Sequence, residues 1–342
     1  MSMLFLAASS LVVAPVPKEV QFGDWTVACD NGRHCEALGM PPEDGAEDWI
    51  IYVSRGAGPS ASPSIEAGPA FNDWGGQERQ VRLKIDGRPT EFGFDSNGRA
   101  VGDVLAMLAA IASARGVSVI DQKGEALGHI RTSGAAAALR WIDERQKRVG
   151  TATAIVARGN QPSSKVPPPP VLPRIVQPPA SSKPPRQLSP ADVRAIQALA
   201  EGWCKPELAD PRTYRLDASH TVGVVGCMLG AYQGASLIVV IDERGKWRPA
   251  KIEQAEPPSE YSEPFDAYLL TAGDFDPVDR ILWMAAKGRG LADCGSTASW
   301  AWDGRMFRLA SYQSLGLCRG APPGTWFSRW QTANKPLKED AH

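Results

Sequence analysis

Apolar and charged residues alternate along short stretches in the first half of the chain. Val81, Leu83 and Ile85 are apolar, whereas Arg82 and Lys84 between them are charged. This period of two is typical of a β-strand with one face in the core and the other in water. Runs rich in β-branched and aromatic residues predict further strands at 25–28, 49–53 and 151–156.

Two stretches in the same half have the spacing of a helix instead. Over residues 101–114 the apolar residues recur every three or four positions, and Gly116 follows where a C-terminal cap is expected. A second helix is predicted from Ser133, a favourable N-cap residue, to Arg148. The first half of the chain is therefore predicted to mix strands with two helices.

The end of the second predicted helix carries both acidic and basic residues. Asp143 and Lys147, and likewise Glu144 and Arg148, are four residues apart and can pair on a helix surface. Basic residues at the last turn also suit the negative end of the helix dipole. We interpret this stretch as a solvated helix end, with a docking face as the alternative.

A proline-rich stretch separates the two halves of the chain. Residues 160–186 contain ten prolines, four basic residues and no acid. Such a segment cannot build a core and favours an extended polyproline conformation. We interpret it as a semi-rigid spacer. The alternative is a PxxP ligand for an aromatic groove.

The second half opens with a helix and continues with strands. Ser189, Pro190 and Asp192 give an N-cap, a proline at the first helical position and an acid in the first turn. Short β-type runs separated by turn residues then predict an antiparallel sheet or a barrel-like meander. These runs are 222–229, 236–241, 268–271, 281–285, 299–302 and 306–311.

The predicted fold class is α+β, with a mixed N-terminal domain and a β-rich antiparallel C-terminal domain joined by the proline-rich linker. The predicted limits are 1–20 for a signal segment, 21–159 for the first domain, 160–187 for the linker, 188–332 for the second domain and 333–342 for a tail.

The signal segment is predicted from the start of the chain. Residues 1–16 are apolar and uncharged, which resembles the hydrophobic region of a secretory signal, although the first basic residue is Lys18. Residues 12–14 offer a small-residue cleavage site, with Pro15 directly after it. The alternative interpretation is an apolar first strand of the domain.

Six cysteines, an even number, suit an oxidising compartment. Two lie before the linker and four after it, so without a bridge across the linker the first two must pair with each other. Three pairings are then open for the other four, and sequential pairs are favoured. A zinc site at Cys29, His34 and Cys35 lacks a fourth ligand. The favoured disulfides are Cys29–Cys35, Cys204–Cys227 and Cys294–Cys318.

Composition narrows the classes of protein further. The 342 residues carry a net charge of −1, which argues against an electrostatic nucleic-acid binder. Hydrophobic residues make up 43% and charged residues 22%, so most of the chain is expected to fold. No apolar stretch of about 18 residues occurs, and hence no transmembrane segment is predicted.

Three phrases resemble a bacterial exported family known as domain of unknown function 1176. They are FGDWTVACDNGRHCEALG at 22–39, GAAAALRWIDERQKR at 134–148 and KGRGLADCGSTASWAWDGRMFRLASYQSLGLCRG at 287–320. The resemblance implies export and a recurring pattern of cysteines, and it brings no activity, cofactor or catalytic residue. The opening FGDWTVAC is also similar, more weakly and over the first domain only, to invasion-associated locus B proteins.

The best candidates for a binding surface lie in the third phrase. Trp300 and Trp302 are two apart and share one face of a strand, where they form either a core wall or an exposed stacking platform. The core is the default, because tryptophan is usually largely buried. Arg289 and Asp293 are the candidate polar rim of such a surface.

No catalytic, metal-binding or cofactor-binding set is predicted. Ser296 lies close to Asp293, but no histidine with a supporting signature accompanies it, and no GxSxG or HExxH motif occurs. An acidic run that could hold a glycosidase pair is interpreted as a loop because of its prolines. Its acids are Glu256, Glu260, Glu263 and Asp266.

The leading hypothesis is a periplasmic or secreted, non-catalytic envelope protein. Its expected partner is an unknown envelope protein or a saccharide, not a nucleic acid. The alternatives are a hydrolase that acts on a cell-envelope polymer through a carboxylate pair, and a purely structural envelope component.

Overall fold

A computed structural model describes residues 15–43, 45, 48–71 and 80–334. The proposed cleavage site at 12–14, His342 and nearly all of the predicted tail lie outside the described residues. Among the described residues, none of the helices has the length and apolar character needed to cross a bilayer.

The first part of the chain is built on one large sheet, here called the first sheet. Within the described residues its strand order is β1-β2-β3-β4-β10-β9-β6-β7-β8, with β5 also paired to β4; β10 and β4 are parallel and the other pairs antiparallel. Its elements are β1 (Val20–Phe22), β2 (Trp25–Cys29), β3 (Cys35–Gly39), β4 (Trp49–Arg55), β5 (Pro63–Pro69), β6 (Val81–Ile85), β7 (Arg88–Phe94), β8 (Ala100–Val101), α1 (Val104–Ser113), β9 (Val117–Ile120), β10 (Ala126–Ile130) and α2 (Ala135–Arg145).

Both predicted helices of this part form, but their ends differ from the prediction. Asp103 caps α1 and Ala114 ends it, while the Gly116 N–H donates to Asp86. Helix α2 starts at Ala135, and its N-cap residue is Gly134 rather than Ser133. Gly134 has φ 89°, and a Cβ there would lie 1.7 Å from the Phe22 carbonyl oxygen, so the close approach of the two segments requires glycine.

The second part is a β-sandwich opened by one helix. Ser189 and Asp192 form a capping box on α3, as their spacing predicts. Two five-stranded antiparallel sheets follow within the described residues, the second sheet in the order β11-β12-β13-β14, with β15 on β13, and the third sheet in the order β16-β17-β18-β19-β20. The elements are α3 (Pro190–Gln197), β11 (Arg212–Arg215), β12 (His220–Leu229), β13 (Gly234–Asp242), β14 (Trp247–Pro249), β15 (Leu269–Thr271), β16 (Asp274–Asp276), β17 (Ile281–Lys287), β18 (Gly295–Trp302), β19 (Phe307–Leu315) and β20 (Phe327–Gln331).

One apolar core lies between these two sheets. Val224 and Ile238 of the second sheet belong to the same buried cluster as Leu282 and Leu309 of the third. The two open sheets therefore pack as a sandwich, in place of the single sheet or barrel-like meander that the strand spacing suggested. The molecule is mostly β-sheet with few helices, which agrees with the α+β class.

The proline-rich segment is in contact with both parts. It forms a single 3-10 turn, Ser163–Lys165, and no strand. Arg33 of the first part donates to the Pro168 carbonyl oxygen at 2.6 Å, and Arg280 of the sandwich donates to that of Pro178 at 3.0 Å. The segment is therefore tied along the surface of the molecule.

The two parts share an apolar core, here called the shared cluster. Phe327 of β20 is fully buried in it, beside residues of the first sheet. Separately mobile domains would expose this surface to water, at about 25 cal/mol per Å² of apolar area. The shared cluster comprises Ala28, Leu38, Met40, Ile50 and Ala70 from the first part and Ala292, Leu315, Ala321, Trp326 and Phe327 from the sandwich.

The chain start also joins the two parts. Val16 packs on the sandwich core, and Arg329 of β20 donates to the Pro17 carbonyl oxygen at 2.8 Å. Glu19 accepts hydrogen bonds from the Ser314 hydroxyl and the Gly316 N–H, at 2.6 and 3.1 Å. Residues 16–19 therefore pack against the sandwich.

The end of α2 is only in part the solvated surface that its charges predict. Glu144, Arg145 and Lys147 are exposed, whereas Asp143 and Arg148 are buried. Asp143 is fully buried, and its carboxylate accepts the backbone N–H groups of Ile155, Val156 and Ala157 at 2.8, 2.9 and 3.1 Å. The predicted strand at 151–156 does not form, because these N–H groups bind a side chain instead of a neighbouring strand. Charges at helical spacing are typical of an exposed helix face, whereas the Asp143 carboxylate binds the backbone of the turn at 155–157.

Two arginines lie buried close to Asp143. Arg148 is fully buried, and its guanidinium donates to Gln146, to Thr153 and to backbone carbonyl oxygens. Arg55 is 1% exposed; burial and the neighbouring Arg148 lower its pKa to about 10, although the charge of Asp143 acts in the opposite direction. The buried carboxylate therefore has both a hydrogen-bonding and a charge-balancing role.

We expect Asp143→Ala to destabilise the protein by about 3–5 kcal/mol, because it leaves buried N–H groups unpaired and buried arginines unbalanced. Urea unfolding would measure the change. The matched control is Glu144→Ala, since Glu144 is half exposed in a surface pair with Arg140 and should contribute less than about 1 kcal/mol. Equal losses for the two variants would contradict the assignment.

We also expect Phe327→Ala to lower the free energy of unfolding by about 3–5 kcal/mol, because it leaves a cavity in the shared cluster. Because the shared cluster belongs to both parts, hydrogen exchange should accelerate in β2 as well as in β18. Tyr261→Ala is the control, since Tyr261 is 85% exposed. Acceleration confined to the sandwich would show that the two parts are independent.

Candidate functional site

A pocket of about 330 Å³ lies where the second and third sheets meet, and we call it the Arg212 pocket. Its volume is near the lower end of the range for small-molecule sites, about 300–1,000 Å³. Its lining comes from both sheets and from the segments that enter them. The lining residues are Leu208, Asp210, Arg212, Gly226, Cys227, Met228, Leu229, Gly234, Ala235, Ser236, Ala272, Gly273, Asp274 and Trp283.

Small residues and a disulfide shape one wall of this pocket. A Cβ on Gly226 would lie 1.9 Å from the Leu208 carbonyl oxygen, so only glycine allows that segment to pack against β12. The register of β12 and β13 shifts at Cys227, which is fully buried and bonded to Cys204. The wall is therefore fixed by covalent and backbone contacts.

Charged groups and an indole line the opposite side. Arg212 forms an ion pair through Nη1 with Asp274, which lies directly opposite Trp283 in the β16–β17 ladder. The Arg212 Nε atom is buried and has no hydrogen-bond partner; a carboxylate oxygen of Asp210 lies 3.8 Å away. The side chain of Asp210 is 86% exposed. The pocket thus places an exposed carboxylate and an ion-paired guanidinium close to an aromatic ring.

Arg289 and Asp293, predicted as a polar rim, bind each other. Two Arg289 nitrogens donate to the two Asp293 carboxylate oxygens at 2.7 and 2.5 Å, and the Gly320 N–H donates to Asp293 at 2.7 Å. Burial raises the pKa of Asp293, but these hydrogen bonds outweigh it and lower the pKa below its ordinary value. Arg289 also pairs with Glu43 at 2.9 Å and lies over the Phe71 ring, so it links the two parts of the chain.

Trp300 and Trp302 belong to the sandwich core. They are 3% and 1% exposed, and their indole N–H groups donate to the Glu253 carbonyl oxygen and to the Asp217 carboxylate at 2.8 and 2.7 Å. Both indoles are thus buried, as the core interpretation expects, and neither offers an exposed face for stacking.

Asp217 also accepts a hydrogen bond from His220. The His220 Nδ1 atom lies 3.0 Å from each carboxylate oxygen, an arrangement that orients a histidine. Among the described residues, no hydroxyl or thiol forms a hydrogen bond with His220, so the third member of a catalytic triad is not in place. The pair closes the turn between β11 and β12.

Three acids of the acidic run are held by a guanidinium or by backbone N–H groups. The Arg329 Nη1 atom lies 3.0 Å from a carboxylate oxygen of Glu256. The same nitrogen lies 3.4 Å from a carboxylate oxygen of Glu19. Glu263 and Asp266 cap the 3-10 turn Pro264–Ala267. The interpretation of this run as a loop agrees with these contacts.

The disulfides follow the favoured pairing. Cys29–Cys35, Cys204–Cys227 and Cys294–Cys318 are all bonded, and no free cysteine is left. Within the described residues, the one group of possible metal ligands is Asp293 with Cys294 and Cys318. Its sulfur atoms are held in the disulfide and cannot act as thiolates, the form that binds metals.

The family described as Protein of unknown function (DUF1176) matches residues 19–333. The chain belongs to the DUF1176 family. An Escherichia coli (strain K12) relative, "Uncharacterized protein YpfG", is 30% identical over 347 residues, which cover 96% of each chain. The family resemblance stated above is thus confirmed.

A structural comparison gives a second similar protein, invasion associated protein B from Bartonella henselae. It is 18% identical and matches 38% of this chain and 99% of its own, with a TM-score of 0.28. A likeness at that score supports no argument about the fold or the function of this DUF1176 protein.

A polar contact between the two parts was not predicted from the sequence. Glu36 of β3 accepts hydrogen bonds from the Tyr52 hydroxyl and, at 2.6 Å, from the Ser328 N–H of β20. His34 Nε2 lies 3.6 Å from Glu36. Burial lowers the pKa of His34, but Glu36 and Asp30 outweigh this effect and raise it above 6.5.

The stabilising effect of His34 should therefore depend on pH. A raised folded-state pKa adds stability that is complete below about pH 6.5 and is lost as the pH rises through the folded-state pKa. We expect His34→Gln to flatten the fall in urea midpoint between about pH 6 and pH 8. His129→Gln, at an exposed position of β10, is the control. Parallel pH profiles for wild type and His34→Gln would contradict this role.

Proposed function

We propose that this DUF1176 protein is an exported, non-catalytic envelope protein that binds a small ligand in the Arg212 pocket. The observation that carries the proposal is the lining of this pocket, in which the exposed Asp210 carboxylate and the Arg212 guanidinium lie close to the Trp283 indole. Such a combination of a few polar groups with apolar surface is typical of small-molecule sites.

Three disulfides support export. Such bonds form and persist in oxidising compartments and are rare in the cytosol. The apolar, uncharged start of the sequence agrees with a secretory leader. We therefore propose a periplasmic or secreted location.

The two-domain organisation with limits at 21–159 and 188–332 is part of the same proposal. The shared cluster and the tied linker favour domains that act as one body. A binding role would then use one site on a rigid support rather than two mobile modules.

The pocket favours binding over hydrolysis. A glycosidase needs one carboxyl group that is protonated and another that is ionised. Asp274 is occupied by its ion pair with Arg212, and the side chain of Asp210 is 86% exposed, so the lining does not hold two carboxyl groups that are both enclosed and free of a cation.

If the protein is exported, all six thiols should be blocked in cells. Alkylation of a rapidly acid-quenched culture, followed by mass spectrometry, should find labelled cysteines only after reduction with dithiothreitol. Cell fractionation should place the protein outside the cytoplasm. Free thiols in the quenched cells, or a cytoplasmic location, would contradict export.

A small-molecule extract of the periplasm should raise the melting temperature of the protein. A ligand at 100 times its Kd stabilises by about 2.7 kcal/mol, which corresponds to several degrees. Arg212→Met should abolish the shift, whereas Arg244→Met, in an exposed turn, should keep it. An equal shift in both variants would exclude the Arg212 pocket as the site.

A further inference from the structure

We infer that the Arg212 pocket takes a neutral or amino-bearing sugar unit and excludes acidic ones. This inference rests on the proposed function, because it names the class of ligand for the same pocket. The exposed Asp210 carboxylate beside Arg212, the charge balance of the lining and the position of two aromatic side chains carry it.

The charge balance of the lining disfavours an anion. Arg212 is the single cation among the lining residues, while Asp210 and Asp274 are acids, which leaves a net charge of −1. Asp274 already neutralises the guanidinium through their ion pair. A phosphate or carboxylate would lose its water without gaining an unpaired cation, and burial of such a charge is costly.

The hydrogen-bonding groups suit neighbouring hydroxyls. The Asp210 carboxylate is 86% exposed and accepts hydrogen bonds, and the neighbouring Arg212 guanidinium, whose side chain is 39% exposed, donates them. A hydroxyl both accepts and donates, so adjacent hydroxyls of one sugar ring can bind both groups. An ammonium group in place of one hydroxyl would bind Asp210 through a charge-assisted hydrogen bond.

Apolar groups next to these polar atoms suit the C–H face of a sugar ring. Trp283 supplies a flat, partly exposed indole, and Leu208 and Met228 add apolar surface. A sugar ring has one polar edge and apolar faces, and an indole next to hydrogen-bonding groups binds both kinds of surface.

A second aromatic residue lies on the loop beside the pocket. Tyr232 is 51% exposed and lies between Leu229 and Gly234, which both line the pocket. Its loop is held in place, because Gln233 exchanges two hydrogen bonds with the Lys287 backbone at 3.2 and 3.0 Å. The geometry therefore points to a second sugar unit that stacks on Tyr232 outside the pocket.

The test compares three sets of oligosaccharides by isothermal titration calorimetry. They are oligomers of N-acetylglucosamine, which are neutral, of glucosamine, which are cationic, and of galacturonic acid, which are anionic. We expect the neutral or the cationic set to bind at least tenfold more tightly than the anionic set. Tighter binding of galacturonic acid oligomers, or no binding of any set at millimolar concentration, would overturn the inference.

Variants separate the pocket from the outer position. Asp210→Asn should reduce the preference for glucosamine over galacturonic acid oligomers about tenfold, and Glu260→Gln, in an exposed loop, should leave it unchanged. Tyr232→Ala should weaken the binding of trisaccharides several-fold, because they reach the outer position. The binding of monosaccharides should change little. Both changed residues are exposed, so the variants should fold. Unchanged binding in both variants would overturn the inference.

The two levels of the proposal fail differently. If no sugar binds but the periplasmic extract still raises the melting temperature through Arg212, the sugar class is wrong and the pocket stands. A short peptide that binds in an Arg212-dependent way would have the same meaning. If Arg212→Met leaves the extract's effect unchanged, the proposed function itself fails.

Discussion

Burial of Phe327 against the first sheet is the contact on which the arrangement of the chain depends. The next residue of β20, Ser328, donates its N–H to Glu36. The residue after that, Arg329, donates to the Pro17 carbonyl oxygen near the start of the chain. Residues from both ends of the sequence thus meet at β20. An edge strand with unpaired backbone groups would invite pairing with other chains, and side chains of the first part cover this one. The Arg212 pocket therefore belongs to a single supported body.

Local chemistry explains what the sequence predicted well. The Cys29–Cys35 pair closes the short β2–β3 hairpin, and the α3 capping box needs only Ser189 and Asp192, so both features could be identified from neighbouring residues. Asp143 was misjudged because charge at helical spacing usually means exposure. The backbone N–H groups that bind the buried carboxylate belong to a turn at 155–157. The sequence of this turn predicts a strand, so the turn and its need for an acceptor could not be identified.

The pocket could not be predicted for a different reason. Arg212 and Asp274 are 62 residues apart, and they meet only because two sheets are packed face to face. Neither residue belongs to a motif with known chemistry. Trp283 gave the one weak signal, as a bulky aromatic in a short strand. The stronger signal in the sequence, two tryptophans at alternate positions, pointed to Trp300 and Trp302 instead of Trp283. These two residues belong to the core of the sandwich.

The link between Val16–Glu19 and β20 has a consequence for the order of folding. A ribosome releases the start of the chain long before Arg329, so Pro17 and Glu19 have no partner during most of synthesis. Leu38 and Met40 likewise stay uncovered until Phe327 arrives. If the chain is exported as proposed, the first part therefore stays incomplete until β20 has also crossed the membrane, and a chaperone that shields the apolar surface would help in the meantime.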